Sequence, residues 1–100
     1  MARASSRMHP GRVLSEEFME PMKLDADSLA RALDVEPGRV ALLIANAAPI
    51  TSDIALRLAR CFRTTARFWL GLQTAYDLET AQDEHGEEIF ARVQPLALAA

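Results

Sequence analysis

The sequence predicts an all-α domain built from five short helices. Three observations carry that expectation. Apolar residues recur three or four positions apart in five successive stretches. Each stretch opens on a proline or a residue able to cap a helix. Neither an internal repeat nor a low-complexity linker separates them. Helices this closely spaced can bury their apolar stripes only against one another.

The elements follow in order. Pro10 and Gly11 precede a first helix in which Leu14 and Phe18 stand four apart, and Pro21 marks its end. "DADSLARALDV" is the second, with Asp25 as N-cap and Leu29 and Leu33 on one face. "PGRVALLIANA" is the third, with Pro37 in its first turn. "TSDIALRLARCF" is the fourth, capped by Thr51 or Ser52, with Ile54, Leu58 and Cys61/Phe62 inward and an Asp53/Arg57 pair at i, i+4. "TARFWLGLQTAYDLETA" is the fifth, capped by Thr65, with Phe68, Leu72 and Tyr76 in register as a core stripe that also takes Trp69 out of any base-stacking role. Gly86 stops the pattern, and "EEIFARVQPLALAA" reads as a short strand or final turn ended by Pro95.

Composition narrows the function. A chain of 100 residues is one domain at most. The single cysteine, Cys61, makes no internal bridge, which fits a reducing cytoplasm. No apolar run follows the basic N-terminus as a signal peptide requires, and none is long enough for a membrane helix. The net charge of −3 hides an asymmetry: residues 1–67 carry ten basic against eight acidic groups, residues 68–100 one against six. An acidic protein gains little from general attraction to nucleic acid, so DNA binding must be local. His9, His85 and Cys61 lack metal-ligand spacing, and no phosphate loop, catalytic triad, cofactor motif or small-molecule site is visible. The expectation is no enzyme, no metal and no cofactor.

The third helix is the informative one. With Val40 at zero and 100° per residue, Leu43, Ile44 and Ala47 fall within about 60° of it and supply a core stripe. Leu42 and Ala45 point the other way, with Gly38, Arg39 and Asn46. That outer face is apolar beyond what packing needs. Helices two and three also stand in a helix-turn-helix relation. Counting from Ala26, the pattern needs a small residue at position five, Ala30, and a residue tolerant of positive φ at nine, Asp34. Leu29, Leu33, Val35, Val40 and Leu43 fill its apolar positions.

"HPGRVLSEEF", "SLARALDV" and "ITSDIALRLARCFRTTARFWLGLQTAYDLETA" resemble the HigA-type antitoxins of bacterial toxin–antitoxin modules, a phage-repressor-like helix-turn-helix family. The match runs from about His9 to Val93. The resemblance implies a five-helix domain that forms a homodimer, binds the palindromic operator of its own operon as a transcriptional repressor, and neutralises a cognate toxin, typically an mRNA endonuclease. The expected organisation, read from the residues, is a flexible tail over 1–8, a helix-turn-helix domain over 9–86 and a C-terminal segment over 87–100 available for a dimer contact. The base-contacting positions that the resemblance implies are Pro37, Gly38, Arg39, Ala41 and Leu42. To these the residues themselves add Ser28, Asn46, and Arg57 and Arg60 of a basic cluster with Arg63 and Arg67 that suits flanking phosphates, with Arg3 and Arg7 as an arm.

The chain departs from the family where DNA is read. Ala26 stands where glutamine is common, Ala41 and Leu42 where the family usually carries polar residues, and Asn46, Ala47 and Ala48 where a glycine and a basic residue usually follow the helix. Arg39 and Asn46 remain as donors to base edges, while Ala41 and Leu42 offer contacts of the thymine-methyl kind. Glu16, Glu17 and Glu20 on the first helix are the candidate face for a basic toxin. The alternative is a protein-interaction module on the same fold, with operator readout largely lost.

Overall fold

The computed structural model describes residues 8–97, and among them every regular element is helical. The basic tail with Arg3 and Arg7 lies outside the described residues. Helix α1 covers residues 10–22 in three parts: α-helical Pro10–Val13, a wider π-helical stretch over Leu14–Met19, and an α-helical turn over Glu20–Met22. It is followed by α2 (Ala26–Leu33), α3 (Pro37–Ile44), α4 (Ser52–Phe62) and α5 (Ala66–Arg92).

The N-termini behave as their sequences require. Asp25 Oδ1 accepts from the Ser28 amide at 2.8 Å, and the Thr51 and Thr65 hydroxyls accept from Ile54 and Phe68 at 3.3 and 3.0 Å. Four helix ends share another device. Lys23, Asp34, Asn46 and Arg63 all adopt left-handed backbone, and the next amide reaches back five residues. These bonds run Leu24 to Met19, Val35 to Ala30, Ala47 to Leu42 and Thr64 to Ala59. Asp34, at φ 59°, is the turn residue that the helix-turn-helix spacing demands.

Leu14, Leu29, Leu33, Val40, Leu43, Ile54, Leu58 and Trp69 form the centre of the core. Ala30 is buried where α3 crosses α2, as a small residue at that position allows. The Trp69 indole, fully buried, packs on Phe18 and donates Nε1–H to Thr64 Oγ1 at 2.7 Å.

Four expectations are corrected. Pro21 does not end α1; the helix runs through it to Met22, and the wide turn over residues 14–19 just precedes the residue that cannot donate an amide. The α5 stripe is one residue out of phase. Trp69 and Gln73 are buried, whereas Phe68 is 40% exposed and Leu72 and Tyr76 are half-buried. Ala47 lies past the end of α3 and is exposed. Finally, no strand forms after Gly86 among the described residues: α5 continues through it to Arg92, and Leu78, Ile89, Phe90, Val93 and Leu96 are left exposed. At about 1.5 Å per residue α5 is roughly 40 Å long, which accounts for much of the 53 Å long axis.

Candidate nucleic-acid interface

Helix α3 sits on the domain by Val40 and Leu43, both buried, with Ile44 half-buried. Pro37 opens it, and Gly38, Arg39, Ala41, Leu42 and, just past its end, Ala45 lie away from that side, all exposed. Leu42 is 49% exposed, on the outer side that the 3.6-residue period assigns to it. The N-cap, Glu36, makes no side-chain cap bond, and Pro37 occupies the first helical position. Pro37 has no amide N–H and the Arg39 amide donates to the Glu36 carbonyl at 3.0 Å, which leaves the Gly38 amide as the first-turn donor that an anion can satisfy. A Cβ on Gly38 would meet nothing within 4 Å, so no packing inside the domain requires glycine there.

The other end of α3 is locked. Gly11 packs so closely that a Cβ would clash with the Leu43 carbonyl oxygen and lie 2.9 Å from Asn46 Oδ1. His9 caps α1 through Nδ1, which accepts from the Gly11 amide at 2.9 Å, and its ring meets Tyr76 of α5 edge-on at 4.5 Å. In "HPG", therefore, His9 caps, Pro10 takes the first turn, and Gly11 clears the end of α3. Asn46 is exposed, but it also forms the left-handed terminus of α3 with its side chain beside Gly11.

Arg57 is committed within the fold. Its Nε donates to Asp53 at 2.8 Å, and Nη1 donates to the carbonyls of Leu33 and Asp34 at 2.8 and 3.0 Å. It closes the C-terminus of α2 from across the domain, 23 residues away in sequence. Arg57 also lines, with Arg39 and Glu36, a cleft of about 410 Å³ beside the turn. Arg60 is exposed on α4, while Ser28 is half-buried with its amide held by Asp25. Glu16 and Glu17 lie in the wide turn of α1 and Glu20 just after it, all exposed, with Glu16 paired to Arg12 at 2.9 Å.

Two residues were missed at the sequence level. Gln73, buried in α5, accepts from the Ile50 amide through Oε1 at 2.7 Å and donates to Asp77 through Nε2 at 2.9 Å. It fixes the chain between α3 and α4. Its signal was a lone polar residue between apolar turns. His9 is the other, half-buried, with burial pushing its pKa down against the pull of Asp77. Burial also raises the Cys61 thiol, the reverse of what a nucleophile needs. Among the described residues, no cluster of His, Cys, Asp or Glu could hold a metal, and no helix is long and apolar enough to cross a membrane.

The chain matches no protein-family model. It is 37% identical over 78 residues to antitoxin HigA-1 of Vibrio cholerae, covering 78% of this chain and 73% of that protein. It belongs to the HigA family of antitoxins. Antitoxin GraA superposes with a TM-score of 0.87 at 47% identity, over 90% of this chain and 97% of that one. Pseudomonas aeruginosa antitoxin HigA, solved with the higBA promoter, gives 0.88 at 37% identity, over 91% and 99%. HigA antitoxins and their helix-turn-helix relatives are not enzymes.

Proposed function

We propose that this HigA-family protein acts in the cytoplasm, neutralises a cognate toxin (an mRNA endonuclease) and represses its own operon by binding a palindromic operator as a homodimer. The observation that carries the DNA reading is the outer face of α3: Arg39, Ala41 and Leu42 exposed behind an N-terminus without a side-chain cap, on a fold shared with a promoter-bound HigA. Gly38 leaves the backbone clear for a phosphate. Arg60 supplies a sequence-independent phosphate contact. The apolar character of Ala41, Leu42, Ala45 and Ala47 favours the second reading, an interaction module with little operator readout.

Titration of the upstream operon DNA against a scrambled duplex, at two salt concentrations, separates the two readings. Arg39→Ala is expected to cost about 1–3 kcal/mol on the operator and to relax preference at one base pair per half-site. Equal weak binding to both duplexes, unchanged by the substitution, would leave the interaction module.

The dimer is supported by Leu78, Ile89 and Phe90, which with Ala81, Gln82 and Gly86 line an exposed recess of about 340 Å³ on α5. Half-sites about 34 Å apart require two rigidly joined copies. Light scattering should report a dimer that truncation after Gly86 weakens; a monomer in both cases would remove this part. For the toxin, the exposed carboxylates of Glu16, Glu17 and Glu20 suit a basic partner, and their charge reversal should slow association. An association rate indifferent to both reversal and salt would move that interface elsewhere.

A further inference from the structure

Beside α3 lies a small recess of about 110 Å³, walled by Leu42, Ala48, Pro49 and Ile54 and lined also by Arg39. The hydroxyl of Thr51, which lines it too, is engaged by the Ile54 amide. The walls are apolar, and the volume is below the roughly 150 Å³ that admits a benzene ring. An apolar group of methyl size fits; a base does not. In the major groove, the apolar group that an unmodified duplex presents is the C5-methyl of thymine.

We infer that this recess is a thymine-methyl subsite, giving the chain operator specificity that its few polar residues do not supply. The inference rests on the operator reading above. Arg39 and Leu42 are three apart on one helical face, about 5 Å between Cβ atoms, whereas successive bases rise about 3.4 Å per strand. The thymine therefore lies within one or two base steps of the base pair whose edge Arg39 contacts on the operator reading. Ala41 and Leu42 carry no hydrogen-bonding side chain, so what this face offers beside Arg39 is apolar readout in the same groove.

The test uses wild-type protein and three duplexes: the upstream operon DNA, the same DNA with uracil for every thymine, and a scrambled sequence. Loss of one buried methyl should weaken binding about fourfold per half-site and roughly fifteenfold over two, from about 0.8 kcal/mol per methyl. Leu42→Ala should bind thymine and uracil duplexes alike, and Arg39→Ala should keep the methyl preference. Once the position is mapped, replacing its T·A pair by C·G should weaken binding, and 5-methylcytosine there should recover the methyl contribution. Operator preference that survives uracil unchanged overturns the subsite and leaves the operator reading intact. A methyl preference that persists in Leu42→Ala also overturns it. Failure to distinguish operator from scrambled DNA ends the operator reading, and the subsite with it. The uracil comparison needs no variant, so it does not depend on a variant's folding.

Discussion

Helices α2 and α3 are each eight residues long and pack together as the two arms of one motif, yet they are finished differently. Helix α2 is closed at both ends by side chains: Asp25 takes the Ser28 amide, and Arg57 takes the carbonyls of Leu33 and Asp34. Helix α3 has no side-chain cap at its N-terminus and carries Gly38 in its first turn, although its C-terminus is jammed against Gly11. An arm that only supports can satisfy its own termini. An arm that meets a partner keeps the end facing the partner open and takes its rigidity from the other end. On the proposed operator reading, the asymmetry divides scaffold from contact surface within sixteen helical residues.

The firmest point of the contrast is the locked end of α3, and breaking it should have the largest effect. Gly11→Ala places a methyl against the backbone carbonyl of Leu43, and a carbonyl within a helix cannot yield as a flexible side chain would. Overpacking of this kind costs about 3 kcal/mol. Thermal and denaturant unfolding should show that loss, together with reduced operator affinity because α3 is displaced. A fully stable variant would mean that α1 slides away from α3 at little cost.

Next comes the closed end of α2. Arg57→Met keeps the aliphatic stem and removes the bonds to Leu33, Asp34 and Asp53. With about a third of the side chain exposed, solvent replaces part of the loss, and about 1–2 kcal/mol of stability should disappear. The sequence expectation that Arg57 contacts DNA is thereby sharpened. A fall in affinity without a fall in stability would assign it to phosphate instead of the turn.

How far these contacts were visible beforehand depends on their range. Capping by Asp25, Thr51 and Thr65, the left-handed Asp34 and the exposed Leu42 all follow from positions a few residues apart, where period and residue type decide. Arg57 reaching the end of α2, Gln73 holding Ile50, and Gly11 clearing Leu43 are each set by how the helices pack. Local pattern marks such residues as odd but cannot name their partners. The register of α5 shows the limit most clearly. Phe68, Leu72 and Tyr76 look like a better stripe than Trp69 and Gln73, because the benefit of burying Gln73 lies in an amide 23 residues away. Gly86 misleads for a related reason. Glycine disfavours a helix by only about 1 kcal/mol relative to alanine, and the helix-favouring residues around it carry α5 through to Arg92.

The His9 cap adds a pH dependence to the locked side of the molecule. Nδ1 accepts a hydrogen bond from the Gly11 amide, so the cap requires neutral imidazole. Burial lowers the folded pKa below the ordinary 6.5, with Asp77 opposing. A group with a depressed folded pKa contributes its full stability above the unfolded value and loses it as pH falls from there through the folded one. Stability should therefore decline on acidification below about pH 6.5. His9→Asn, which can cap without titrating there, should flatten that decline; an unchanged pH profile would assign the loss to other groups.

The smallest effect tests the open end of α3, and its sign is the informative part. Gly38 costs helix stability, and nothing within 4 Å of its missing Cβ requires it. Gly38→Ala should therefore raise the stability of the isolated protein by about 0.5–1 kcal/mol, partly by restricting the unfolded chain. If the first turn of α3 approaches a phosphate closely, the added methyl stands between them. The same variant should then bind operator DNA more weakly and flatten the salt dependence. A methyl that stabilises the fold while weakening the complex separates the two demands on one residue, because loss of structure cannot explain it. If stability and affinity rise together, the backbone does not approach DNA at Gly38, and the open N-terminus of α3 has no phosphate beside it.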